Sequence, residues 1–207
     1  MHKRLLIRVP IVLAYICTLS ACVGTPSIKS SDTSISASHY QAHQATIAPI
    51  QQFSLRGRVG VQANGKGFSG SITWQHSAVF DNVALFSPLG SQVANISKTT
   101  TQVTLTDNKG NSISETDAET LTEKVLGWKL PLTGLADWSL GRPASGHVQA
   151  VSWDEQGHLV QLKQDGWEVE YQSYAKQGNY VLPIKLVLKN DKVNLKLLIE
   201  QWQENSN

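Results

Sequence analysis

Between Phe53 and Trp202 the chain alternates apolar and polar residues in short runs, each ended by a cluster of turn-forming residues. A period of two puts successive side chains on opposite faces of a strand, so each run buries one face and wets the other. Eleven segments read this way: Phe53 to Val61, Phe68 to Gln75, Asp81 to Phe86, Ser91 to Ser97, Gln102 to Thr106, Asn111 to Ser114, His147 to Trp153, His158 to Gln164, Gly166 to Tyr174, Val181 to Leu188 and Val193 to Trp202. The alternation is cleanest late. Trp167, Val169 and Tyr171 oppose Glu168, Glu170 and Gln172, and Val193, Leu195, Leu197 and Ile199 oppose Asn194 and Lys196. The breaks at 64–67, 107–110 and 154–157 supply the Asn, Asp and Gly residues that tight hairpins require. Gly57 and Gly60 weaken the first segment or let it bend.

A different pattern interrupts the strands. Asp117 to Leu126 carries acids in its first turn and an apolar stripe of Leu121, Val125 and Leu126, which predicts a helix ended by Gly127. Trp128 to Leu132 then leads to a shorter predicted helix, Leu135 to Leu140. One long antiparallel sheet of about eleven strands curls by its own twist. The helical insertion at about 117–140 then covers the concave apolar face. The expected fold is mainly β: an open, incomplete antiparallel β-barrel with a helical lid. The residues alone leave open whether the lid covers a cavity or a packed core.

Ahead of the strands lies an address. Met1 to Arg8 carries Lys3, Arg4 and Arg8, and an apolar run from Val9 to Leu19 follows, too short for a comfortable membrane span. Residues 1–21 read as a secretory signal. Its end, Leu19-Ser20-Ala21-Cys22, resembles the lipobox of bacterial lipoproteins at all four positions. The resemblance implies diacylglycerol on the Cys22 sulfur, cleavage before Cys22 and an added N-acyl chain. Cys17 leaves with the signal, so Cys22 has no partner for a disulfide, and acylation would remove its thiol. Several acyl chains at about 0.8 kcal/mol per CH₂ hold a protein at a bilayer without a transmembrane helix. The next residue is Val23, not Asp, which by resemblance to Gram-negative sorting implies the outer membrane. Residues 22–50 read as a lipidated tether, Ser/Thr-rich to about Ser38, followed by a short helix from His39 to Ala48. His39 and His43 lie four apart but lack further ligands at metal spacing, so they are expected to face solvent.

The chemistry of catalysis is missing from the pattern. Gly67 to Ser71 lacks the spacing of a nucleophile elbow, and no P-loop, dinucleotide fingerprint or paired-histidine zinc motif occurs. Without Lys3, Arg4 and Arg8 the 18 basic side chains fall just below the 16 acidic ones, which gives no reason to expect nucleic acid. The chain does not read as an enzyme, and no metal or cofactor is expected.

The folded part, 51–207, resembles the LolB family, outer-membrane receptors of Gram-negative lipoprotein sorting. The residues that carry the likeness are Phe53 to Arg58, Ile72-Thr73-Trp74, Leu85 to Gly90, Leu126 to Pro131, Leu135 to Pro143, Gly166 to Tyr171, Leu182-Pro183 and Lys196 to Trp202. Their order and spacing together are specific. The resemblance implies an open eleven-stranded barrel whose apolar cavity takes acyl chains of lipoprotein cargo from a soluble carrier, LolA. Cargo would pass into the inner leaflet of the outer membrane, so phospholipid is a further expected partner, and the receptor is expected to be a monomer. The family's protruding leucine between the third and fourth strands maps to Leu89, flanked by Pro88 and Gly90. From the residues alone Leu89 either protrudes or folds back; the resemblance assigns exposure. Expected cavity residues are Trp74, Leu85, Leu121, Val125, Trp128, Leu130, Leu135, Trp138, Trp167, Val169, Tyr171, Leu186 and Leu197. Arg56 and Arg58 are read either as mouth cations that steer an acidic carrier or as solvated strand residues. Two rival readings are a carrier of free lipid or glycolipid and a structural envelope lipoprotein without ligand.

Overall fold

The computed structural model describes residues 30–126 and 129–204. The expected signal, Cys22 and Trp128 lie outside them. All eleven expected strands form: β1 (Phe53–Ala63), β2 (Lys66–Ser77), β3 (Phe80–Phe86), β4 (Gln92–Lys98), β5 (Val103–Asp107), β6 (Ser112–Glu115), β7 (Val148–Trp153), β8 (Leu159–Gln164), β9 (Trp167–Gln177), β10 (Tyr180–Lys189) and β11 (Val193–Glu204). They make one antiparallel sheet in the order β6-β5-β4-β3-β2-β1-β11-β10-β9-β8-β7. The β1–β11 pair joins two meanders, and β6 and β7 remain edges, so the sheet curls without closing. Among the described residues three helices accompany it: α1 (Ser30–Ile47), α2 (Ala118–Leu126) and α3 (Leu132–Ser139), the last two in the link between the edge strands.

Bulges supply curvature. Register slips between Arg56 and Gly57, where any side chain would run its Cβ into the Leu198 carbonyl oxygen, so this bend requires glycine. A second irregularity at Pro183 fits a residue that cannot donate to the ladder, and its carbonyl accepts the Trp202 indole N–H at 3.0 Å.

The lid is pinned by polar side chains. Asp117 caps α2 by accepting from the Thr120 N–H at 2.7 Å. Buried Thr122 accepts the Leu130 N–H at 2.8 Å, stitching α2 to the segment that leads into α3. Lys124 pairs with Glu115 of β6 at 2.7 Å. The second lid helix starts three residues earlier than expected, because Leu132 is buried and joins its packed face.

The N-terminal helix corrects the expected tether. It begins at Ser30, not His39, so residues 30–38 are helical. From Ser36 onward the helix carries a stripe of Ser36, Ala37, Tyr40, His43, Gln44 and Ile47 that is less exposed than the opposite face. Tyr40 stacks on Trp153 at 4.5 Å, Gln44 donates to the Gly141 carbonyl at 2.9 Å and Ile47 is fully buried. His43 is likewise not solvent-facing. Its Nε2 donates to the Val181 carbonyl at 3.0 Å, its ring meets His158 edge-on at 4.8 Å, and burial pushes its pKa down. His39 stays exposed, with Nδ1 2.6 Å from the Glu155 carbonyl oxygen. Gly157, at φ +85°, lets the β7–β8 turn approach the backbone of His39 and Tyr40.

Candidate functional site

A cavity of about 410 Å³ lies against β1–β4, β11 and the lid. Its wall is almost wholly apolar. Val59, Val61 and Ala63 come from β1, Phe68, Ile72 and Trp74 from β2, Val83 and Leu85 from β3, and Val93, Ala94 and Ile96 from β4. Leu195 and Leu197 of β11 complete the sheet side, while Val125, Leu130, Leu132 and Leu135 form the roof. Cross-strand register explains the assembly: Val59 faces Leu197, Val61 faces Leu195 and Phe68, Leu85 faces Ile72 and Ala94, and Val83 faces Trp74 and Ile96. Trp74, Val83 and Ile96 are nearly inaccessible, whereas Lys66 and Gly67 at the start of β2 are exposed. The cavity therefore deepens away from the β1–β2 turn. Val125 keeps 37% of its surface exposed although it sits in the apolar stripe of α2, as a lid over a void would.

Of the expected lining, Trp74, Leu85, Val125, Leu130, Leu135 and Leu197 face the cavity. Leu121, Trp138, Trp167, Val169, Tyr171 and Leu186 do not line it; they are buried in packed core. The reason is position along the sheet. Val169, Tyr171 and Leu186 lie on β9 and β10, beyond the cavity strands, where Trp138 of α3 packs near Trp167 at 6.4 Å. Small lining residues such as Val59, Ala63, Val83 and Ala94 were missed because the expectation favoured large side chains. Small inward-facing residues at period two were the available signal. Arg56 and Arg58 are not at the mouth. They alternate with Leu55 and Val59 and so face outward, and Arg58 pairs with Glu200 at 2.9 Å.

Two buried polar groups hold the walls. Asp81, 2% exposed, accepts from the Trp74 indole N–H at 2.9 Å and lies 2.6 Å from His76 Nδ1 and 3.4 Å from Lys98 Nζ. Burial pushes its carboxyl up, but the His76 and Trp74 hydrogen bonds and the Lys98 charge outweigh it and leave the pKa below the ordinary 3.8. Gln164, fully buried, accepts the Trp138 indole N–H at 3.0 Å and brackets Ala144 through its N–H and carbonyl.

Leu89 projects from the β3–β4 turn with 95% of its surface exposed. Gly90 donates to the Ser87 carbonyl at 2.9 Å and Ser87 donates to Ser91 at 2.8 Å, with Gly90 at φ +84°. The same loop recurs at Asp107–Asn111 and Asp154–His158, with glycine again at the left-handed position. In those copies the position of Leu89 is held by Lys109 and Gln156. The turn geometry thus has no need of an apolar tip. Antiparallel order places the 87–91 turn at the same end of the sheet as the 64–65 turn, the end to which the exposed cavity residues Lys66 and Gly67 belong.

The model of the family described as outer membrane lipoprotein LolB matches residues 51–202. The chain belongs to the LolB family. An outer-membrane lipoprotein LolB from Nitrosomonas europaea is 38% identical over 194 residues, covering 93% of this chain and 91% of that one. One from Pseudomonas fluorescens is 31% identical, covering 93% and 94%. Among solved structures, a LolA superfamily protein from Nitrosomonas europaea superposes with a TM-score of 0.52 at 7% identity, over 83% of this chain and 94% of the other. That likeness shows a shared fold between this chain and that LolA superfamily protein. Among the described residues no helix is long and apolar enough to cross a membrane, and no His, Cys, Asp and Glu group assembles that could hold a metal.

Proposed function

We propose that Cys22 anchors this chain in the outer membrane, facing the periplasm, and that the domain takes acyl chains of lipoprotein cargo from a LolA carrier and delivers them to the inner leaflet. The observation that carries the reading is an apolar cavity of about 410 Å³ at the end of the sheet where Leu89 stands exposed. Acyl chains need an apolar enclosure in transit and an exit toward a bilayer. The cavity offers the first and the Leu89 turn marks the second.

The transfer runs on differential affinity. A tenfold preference for receptor over carrier corresponds to about 1.4 kcal/mol, roughly two CH₂ groups of additional burial. The void makes room for chains, and unfilled lining atoms lack partners until a ligand supplies them. Release follows if the bilayer buries the same chains more completely. The signal, residues 1–21, and the acylated tether serve as address and anchor, and the receptor works as a monomer without cofactor or metal.

A rival reading, a carrier of free lipid, draws on the same cavity; a structural lipoprotein with a solid core does not account for it. The decisive test is transfer of labelled lipoprotein from purified carrier to this chain and then to liposomes. Leu89→Glu is expected to accept cargo and fail at insertion, and insertion at the wild-type rate would remove Leu89 from the mechanism. The mature chain with Cys22→Ala is expected to accept cargo from solution. A chain that binds phospholipid but never takes lipoprotein from carrier is a lipid carrier.

A further inference from the structure

One protruding leucine is a weak membrane device. Even a myristoyl chain gives only marginal, reversible binding, and stable attachment takes a second signal such as a basic patch. The sheet supplies one at the correct end. Because the strands alternate direction, the 64–65, 87–91, 108–111, 165–166 and 190–192 connections all emerge at the Leu89 end. That end carries Lys66, Lys109, Lys163, Lys189 and Lys192, all exposed. Lys163 and Lys189 are paired there with Glu168 and Glu170 at 3.8 and 3.9 Å. The other acids are Asp165, Asp191 and Asp107, of which Asp107 is engaged by the backbone of its own turn at 2.8 and 2.9 Å. Lys66, Lys109 and Lys192 make no ion pair among the described residues. The opposite end has the reverse balance. Glu115, Asp117, Asp154 and Glu155 lie there against Lys98 and Lys176, with Glu115 paired to Lys124 and α1 docked through Glu155 and Val181 of β10. The molecule is thus polarised along the strands, basic around the exposed leucine and acidic at the far end.

We propose that the lysine-bearing end is a docking surface for anionic phospholipid, in which the ammonium groups meet headgroup phosphates and orient the domain so that Leu89 enters the acyl region. The proposal rests on the receptor reading and names the lipid class that its delivery step meets. Polarity explains why the arrangement orients as well as attracts: an anionic surface draws the basic end and repels the acidic end, whereas a uniformly basic protein would bind in many attitudes. Zwitterionic lipid offers no such torque. Lysine suits the task, since its long stem lies along the apolar rim while the ammonium reaches the phosphate layer.

The test uses the mature chain carrying Cys22→Ala, so that the anchor does not mask the surface, and vesicles either of phosphatidylcholine alone or with about a third phosphatidylglycerol. Co-sedimentation is expected on the anionic vesicles and to fall as salt screens the lysines. Lys109→Gln with Lys192→Gln, two exposed turn residues outside the cavity, is expected to weaken partitioning about thirtyfold, the product of two surface lysines. It should leave acceptance of lipoprotein from the carrier unchanged. Equal binding to both vesicle types, or no loss in the double variant, overturns the proposal. So does a double variant that keeps vesicle binding but loses acceptance, which would assign the lysines to an acidic protein partner. A wild-type chain that binds anionic vesicles yet takes no cargo refutes the receptor reading separately.

Discussion

Trp74 and Trp138 are both buried and each gives its indole N–H to a single polar side chain, Asp81 and Gln164 respectively, yet Trp74 faces a cavity and Trp138 faces packed side chains. The same contrast separates the two meanders. Cavity positions on β1, β3 and β4 are Val59, Val61, Ala63, Val83, Leu85, Val93, Ala94 and Ile96, with Val125 of α2 and Leu132 and Leu135 of α3 above them. On the far side buried positions are Leu159, Leu162, Trp167, Val169, Tyr171 and Leu186, beside Trp138 of α3. Both halves satisfy the apolar alternation that an antiparallel sheet demands. Both walls mix large and small side chains, and what differs is the space left over: about 410 Å³ against β1–β4, and only about 190 Å³ beside β9–β11, where Leu140, Tyr180, Leu182 and Trp202 line it.

The largest effect that tests this contrast is Trp138→Ala. It should destabilise the domain by about 3–5 kcal/mol, because a filled site loses a large side chain, and it orphans one hydrogen-bonding position of Gln164. Urea unfolding measures it, and a loss below about 1 kcal/mol would mean that the far half is not tightly packed. Next come enlargements. Val169→Phe in the filled half should cost about 1–3 kcal/mol by overpacking. Ala94→Leu enters the cavity and should change stability by less than about 1 kcal/mol, while lowering cargo acceptance. Equal costs at the two sites would erase the distinction.

The smallest effect concerns pH. The Asp81 carboxyl is held below 3.8 in the fold, so its stabilisation is fully present above that value and is lost as pH falls through the lower folded pKa. Gln164 does not titrate. Acid should therefore release the Trp74 indole before the Trp138 indole, read from their separate N–H resonances, and Asp81→Asn should flatten the acid limb of the stability curve. Simultaneous loss of both resonances would show the two halves to be one cooperative unit in acid.

This contrast also explains what could be read from sequence. Strand existence was legible because period two and turn residues are local, and all eleven strands appear close to their expected limits. The void was not, because alternation reports which face is buried and is silent on whether facing volumes sum to full density. Large residues such as Trp167 and Tyr171 drew attention, whereas the cavity wall also takes Val59, Val61, Ala63, Val83, Val93 and Ala94, which were passed over. The longer α1 escaped notice for another reason: its Ser-rich start has little helical preference, and the docking partners of the helix, Trp153, Val181 and Gly141, lie more than ninety residues away. Leu89 was half legible. Pro88 and Gly90 marked a turn, and only the fold showed that two other turns of the same form carry polar residues in its place.

The most direct test of the account is a photo-cross-link. Lipoprotein cargo bearing a diazirine in an acyl chain would be transferred from carrier to this chain, irradiated, and the modified peptides mapped by mass spectrometry. Adducts on β1–β4 and on residues 125–135, with none on β8–β10, are the expected result. Adducts concentrated around Trp167, Tyr171 and Leu186 would contradict it and move the acyl chains away from the larger cavity.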